Sequence, residues 1–69
     1  MKYPNIEAER ARHGYSQKTF AEVLGVSTKT YQNWQGARTE IPCSQIVAMA
    51  RLFEVTADYL LGINTNQAS

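Results

Sequence analysis

The stretch SQKTFAEVLGVSTKTYQNW, Ser16 to Trp34, carries two short helical patterns that meet at Gly25 with almost no loop between them. Ser16 is a good N-cap, because its hydroxyl can accept the bond of a first-turn amide. Phe20, Ala21, Val23 and Leu24 then repeat at helical spacing up to a glycine able to take the left-handed turn that stops a helix. The pattern predicts a helix over 17–24. Ser27 caps a second helix, over about 27–35, in which Tyr31 and Trp34 share one side while Thr28, Lys29, Gln32, Asn33 and Gln35 lie elsewhere. Helices crossing at about 90–120° through so short a turn need a glycine at the corner. They also need a small residue where they come closest, and Gly25 and Ala21 meet the two needs.

The flanking segments supply a body for this bent pair. Pro4 and Asn5 precede a polar stretch with Ile6, Ala8 and Ala11, and Gly14 follows it, which predicts a capped helix of roughly 5–13 with Arg10, Arg12 and His13 in its last turns, where the helix dipole favours cations. Gly36 ends the third helix, and Ala37 to Cys43, with Pro42 and no periodicity, reads as a surface loop. Ser44 is expected to cap a central fourth helix whose Ile46, Val47, Met49, Ala50, Leu52 and Phe53 form the densest apolar pattern in the chain. Thr56 caps a last short helix ending at Gly62, and the polar tail is expected to fray. The expectation is all-α: one five-helix domain over residues 1–62 and a tail over 63–69.

Composition removes most other classes. A chain of 69 residues has one core, since about 60 % of the unfolded surface is all that such a length buries. The apolar fraction of 43 % and charged fraction of 19 % are those of a soluble globular domain. No apolar run reaches the 18 or so residues of a spanning helix, and MKYPNIEAER is no signal peptide, so a cytoplasmic location is expected and no membrane partner. Cys43 has no second cysteine to pair with and no ligand neighbours at metal spacing, and is read as a small buried apolar side chain; no metal or other cofactor is expected. His13 stands beside Gly14 with no nucleophile at a telling spacing, and there is no phosphate loop or carboxylate pair, so an enzyme is not expected. The net charge of +1 is uninformative, but its distribution is uneven: residues 1–38 hold six cations against three anions, the remainder one cation against three anions.

The bent pair leaves the polar face of the helix at 27–35 projecting from the body, and such a helix fits the major groove of B-form DNA. With Ser16-Gln17, the run Phe20-Ala21-Glu22-Val23-Leu24-Gly25-Val26-Ser27, Tyr31, Trp34 and the closing Leu52-Phe53-Glu54-Val55-Thr56-Ala57-Asp58-Tyr59-Leu60-Leu61-Gly62 in this order and spacing, Ile6 to Gly62 resembles the helix-turn-helix domain of the Cro and repressor (XRE) family, the lambda-repressor-like fold. The resemblance implies a compact five-helix bundle binding operator DNA, of the kind phages and prophages use, as a dimer on a two-fold symmetric site in a bacterial or phage-infected cell. Tyr59, Leu61 and Ile63 are the dimer surface it suggests. The chain departs from the family at Gln35, commonly acidic and often paired with an arginine like Arg10. The usual glycine comes one position later than Gly36, and Glu9 stands where leucine is more frequent.

Base reading is expected from Thr28, Lys29, Gln32 and Asn33, with Ser27 at the edge of contact. Lys29 suits guanine acceptors, Gln32 or Asn33 the paired groups of adenine, and Thr28 a thymine methyl or a base-edge hydrogen bond. Phosphate positioning falls to Gln17, as the resemblance implies, with Lys18, Arg10, Arg38 and Tyr31 as further candidates; for Tyr31 and Trp34 a core position competes. With about three to five phosphates neutralised per subunit, useful affinity needs two copies whose reading helices stand one DNA turn, roughly 34 Å, apart. No small-molecule ligand is expected, since no second domain accompanies the bundle in these residues. The competing function is a protein-interaction module, antitoxin-like or anti-repressor, which would show apolar or aromatic anchors on the third helix.

Overall fold

Five helices follow in order: α1 (Pro4–Arg12), α2 (Gln17–Leu24), α3 (Thr28–Gln35), α4 (Cys43–Phe53) and α5 (Ala57–Leu61). They are those of a computed structural model that describes residues 1–63, so the expected fraying of the tail, apart from Ile63, lies outside the described residues. Among the described residues there is no strand, and no helix is long and apolar enough to cross a membrane.

Three helix starts use the same local device. The side chains of Ser16, Ser27 and Thr56 accept hydrogen bonds from the amides of Thr19, Thr30 and Tyr59 at 3.0, 3.1 and 3.1 Å, which satisfies one of the four free N–H groups of each first turn. The other two starts differ from expectation. α1 begins at Pro4, whose fixed φ suits a first helical position, and Asn5 gives its amide to the Tyr59 carbonyl at 2.7 Å instead of capping. α4 begins at Cys43 behind Pro42, whose carbonyl receives the amides of Gln45 and Ile46, so Ser44 lies inside the helix rather than at its cap.

All five exits pass through a left-handed residue, but only Gly14, Gly25 and Gly62 are glycines; Ala37 (φ 61°) and Glu54 (φ 57°) take the same conformation with a side chain attached. Gly36 closes α3 at φ −84°, an ordinary angle, so the left-handed position is one residue later than the glycine.

The core gathers Ile6 of α1, Phe20 and Ala21 of α2, Tyr31 and Trp34 of α3, Ile46, Met49 and Phe53 of α4 and Leu60 of α5. Phe20 is its hub, edge-on to Tyr31 with ring centres 5.3 Å apart and stacked on Phe53 at 5.4 Å. Val23 and Val47, counted in the apolar patterns of α2 and α4, point outward. Cys43 is exposed, contrary to the buried position expected of it. It shares the stripe of Ile46 and Met49 but occupies the first turn of α4, beyond the edge of the core. Glu9 is buried between α1 and α5, 4 % exposed, with one carboxylate oxygen accepting from the Tyr59 hydroxyl at 3.1 Å and the other without a hydrogen-bond partner. His13 closes this end of α1, its ring 4.9 Å from that of Phe53.

Candidate nucleic-acid interface

Gly25 makes the corner at φ 77° and ψ 25°. Its N–H reaches the Glu22 carbonyl, and the Val26 N–H reaches Ala21, the paired bonds of a left-handed helix end. The chain re-enters helix at Ser27 two residues later, so α2 and α3 cross with Phe20, Ala21, Leu24, Tyr31 and Trp34 buried between them and the body. The inward stripe of α3 is Tyr31, Trp34 and Gln35. Lys29 and Gln32 are exposed on the opposite side, and Thr28 and Asn33 are half-buried along its margins. Ser27 stays exposed while its hydroxyl serves the cap. The five residues expected to read bases therefore share one edge and face of a single helix, and Lys29 makes no ion pair among the described residues.

Gln17, first residue of α2, is brought to this face by a direct contact: its Oε1 accepts from the Gln32 amide at 3.2 Å. The link joins the residue expected to hold a phosphate to one expected to read a base, and it fixes which way both amides point. Lys18 and Arg38 are exposed and, like Lys29, have no carboxylate partner among the described residues, whereas Lys2, Arg10 and Arg12 are each within 4.0 Å of one.

Two residues expected to contact phosphate are engaged within the protein instead. Tyr31 is fully buried and gives its hydroxyl proton to Glu7 at 2.6 Å, so it has no atom to offer a phosphate. Burial, and then the Glu7 carboxylate, push the phenol well above its ordinary value and keep it a donor. Arg10 is already engaged: Nε and Nη2 grip the two Glu7 oxygens at 2.8 and 2.5 Å, and Nη1 donates to the Tyr15 carbonyl. With Gln35 uncharged, the arginine has found its anion three residues back on its own helix. That grip holds the Glu7 carboxyl below the usual carboxylate range, with the Tyr31 hydroxyl adding to it against the opposing effect of burial.

Gln35, expected away from the side of Tyr31 and Trp34, lies buried beside them instead. It is 8 % exposed, and all its side-chain bonds run to Tyr3 and Tyr31. The available signal was its register: position 35 falls on the stripe of Tyr31 and Trp34, and a polar residue in a core stripe must find partners there.

Comparison with known proteins agrees with this geometry. A family model described as Helix-turn-helix matches residues 6–60, which includes all of α2 and α3. A Bacillus subtilis (strain 168) protein, the Uncharacterized HTH-type transcriptional regulator YobD, is 30 % identical over 54 residues, covering 78 % of this chain and 48 % of its own. The chain thus spans about half the length of that relative. No solved structure matches it significantly. On the match over 6–60 and the five-helix architecture, the chain belongs to the XRE-type helix-turn-helix family.

Proposed function

We propose that this chain binds double-stranded DNA sequence-specifically and regulates transcription, with α3 in the major groove. The observation that carries the reading is a division among its cations. Lys18, Lys29 and Arg38, on α3 or on the segments that flank it in the chain, are unpaired among the described residues, as is Arg51 on α4, while the basic residues of α1 and the amino terminus each lie within 4.0 Å of a carboxylate. Free cations flanking a row of amides and hydroxyls suit a phosphate backbone on either side of base edges. Membership of the helix-turn-helix family supports the same assignment.

Thr28, Lys29, Gln32 and Asn33, with Ser27 at the margin, read bases; Gln17, Lys18 and Arg38 hold phosphates. Two copies bind a palindromic operator of the type used by phage and prophage repressors, a reading supported by the resemblance to Cro and repressor domains and by the small number of free cations per copy. Tyr59 and Leu61, 39 and 38 % exposed at the end of α5, with Ile63 beyond them, are the surface through which the copies meet. The site of action is the cytoplasm, where bacterial DNA is. A protein-interaction role is set aside because the exposed large apolar residues, Met1, Val23, Val47, Tyr59, Leu61 and Ile63, all lie off α3.

Selection of bound duplexes from a random pool tests binding, symmetry and half-site spacing together. Against the selected site, Lys29→Ala and Gln32→Ala should each cost about 1–3 kcal/mol and relax the preference at single positions. Lys18→Ala and Arg38→Ala should weaken binding to every sequence and reduce the salt slope by about 1. A purified protein that retains no duplex even in dilute salt would end this reading.

A further inference from the structure

The far end of α3 is tied to the amino terminus of the chain. The Gln35 side chain pairs with the Tyr3 peptide in both directions: Oε1 accepts from the Tyr3 N–H at 2.9 Å, and Nε2 donates to the Tyr3 carbonyl at 3.1 Å. The Gln35 main-chain carbonyl, one of the last four of α3 and so without a partner in the helix, accepts from the Lys2 N–H at 2.8 Å. Nε2 also donates to the Tyr31 hydroxyl at 3.0 Å, and from there the bonds run to Glu7, Arg10 and the Tyr15 carbonyl. One residue thus joins residues 2–3, the inward face of α3 and the first helix.

The chemistry requires an amide at this position. A carboxylate would accept from Tyr3 N–H but has no proton for the Tyr3 carbonyl or the Tyr31 hydroxyl, and it would stand one hydroxyl away from the Glu7 anion. An apolar side chain would leave the buried Tyr3 peptide groups unmatched. Asparagine is a methylene too short to span the same partners.

The start of α3 is set by the Gly25 corner and the Ser27 cap, whereas its last turn, carrying Gln32 and Asn33 outward, is held to the body by Trp34, by the Gln32–Gln17 bond and by this clamp. We propose that Gln35 is a positioning residue for DNA reading, and that the segment Met1–Tyr3 belongs to the reading unit as the strut against which Gln35 holds the carboxyl-terminal half of α3. The inference rests on α3 being the DNA-reading helix. Base-edge contacts tolerate displacements of only about 0.5 Å, so loosening the strut degrades discrimination before it degrades attraction to phosphate.

The test uses the full chain, Gln35→Met and Gln35→Glu, a duplex selected from a random pool by the unaltered protein, and a scrambled duplex of equal length at the same salt. Backbone amide exchange and thermal unfolding are measured alongside, and binding is compared where each protein is fully folded. In the unaltered protein the Lys2 and Tyr3 amides should be protected. In Gln35→Met the Tyr3 amide should exchange at the free-peptide rate while α2 and α4 keep their protection. Affinity for the selected duplex should fall about tenfold with affinity for the scrambled one unchanged. Gln35→Glu retains the bond from Tyr3 N–H and should lose less discrimination; it also decides the matter if Gln35→Met does not fold. Equal losses on both duplexes would reduce Gln35 to a purely structural residue. Unprotected Lys2 and Tyr3 amides in the unaltered protein would remove the clamp whatever happens on DNA. Protected amides in a protein that binds no duplex would instead overturn the DNA reading, and the positioning role with it.

Discussion

The two ends of α3 are built from different materials. At the start, Gly25 supplies a left-handed corner at φ 77° and Ser27 an oxygen for the Thr30 amide. At the exit, Gly36 sits at φ −84° and the left-handed turn falls on Ala37 at φ 61°, with the Ala37 and Arg38 amides returning to the Trp34 and Asn33 carbonyls. A Cβ in that conformation crowds the following carbonyl and costs about 1–2 kcal/mol, which glycine avoids. The start of the reading helix is therefore unstrained and set by neighbours in the chain. The exit is strained, and is maintained by packing and by Gln35 reaching back 32 residues.

Four measurements would break or sharpen this contrast. The largest effect is expected at the corner, where no heavy atom stands within 4 Å of a Cβ built on Gly25, so any penalty is one of backbone alone. Gly25→Val should destabilise the fold by about 2 kcal/mol in chemical denaturation, and an unaffected midpoint would mean that the corner does not depend on its glycine. Ser27→Ala should cost about 1 kcal/mol by the same assay, through loss of the bond to the Thr30 amide. Ala37→Gly should have the opposite sign. Relief of left-handed strain outweighs the extra entropy that glycine gives the unfolded chain, leaving a gain of roughly 0.5 kcal/mol. A destabilised Ala37→Gly protein would show that the exit is not strained.

The smallest effect is confined to acid. Glu7 has a folded-state pKa below its ordinary 4.5, so its contribution is complete above that value and disappears as pH falls through the lowered one. Unfolding midpoints of the unaltered protein should decline in that window, and those of Glu7→Gln should decline less. Matching acid limbs would show that the Glu7–Arg10–Tyr31 cluster does not hold α1 to α3.

What could be read from the residues alone follows the same division. The caps at Ser16, Ser27 and Thr56 and the stops at Gly25 and Gly62 were legible because each acts on amides or angles within three residues of itself. The outward row of α3 was legible because helical spacing sorts Thr28, Lys29, Gln32 and Asn33 from Tyr31 and Trp34. Arg10 was harder, since an arginine on α1 had both a phosphate and a carboxylate within plausible reach, and only the structure shows Glu7 taking it. Cys43, expected inside, is exposed, as are Val23 and Val47 of the apolar patterns, for one reason: an apolar residue counts toward a helical pattern whether or not the core extends far enough to cover it. The bond between residues 3 and 35 joins segments that no periodicity relates.

Because Cys43 opens α4 with its sulfur in water and is the sole cysteine of the chain, two molecules can be cross-linked by air oxidation alone. A species of doubled mass seen without reductant is then not by itself evidence for the α5 assembly. Weighing the protein with and without a thiol, or as Cys43→Ser, separates the two.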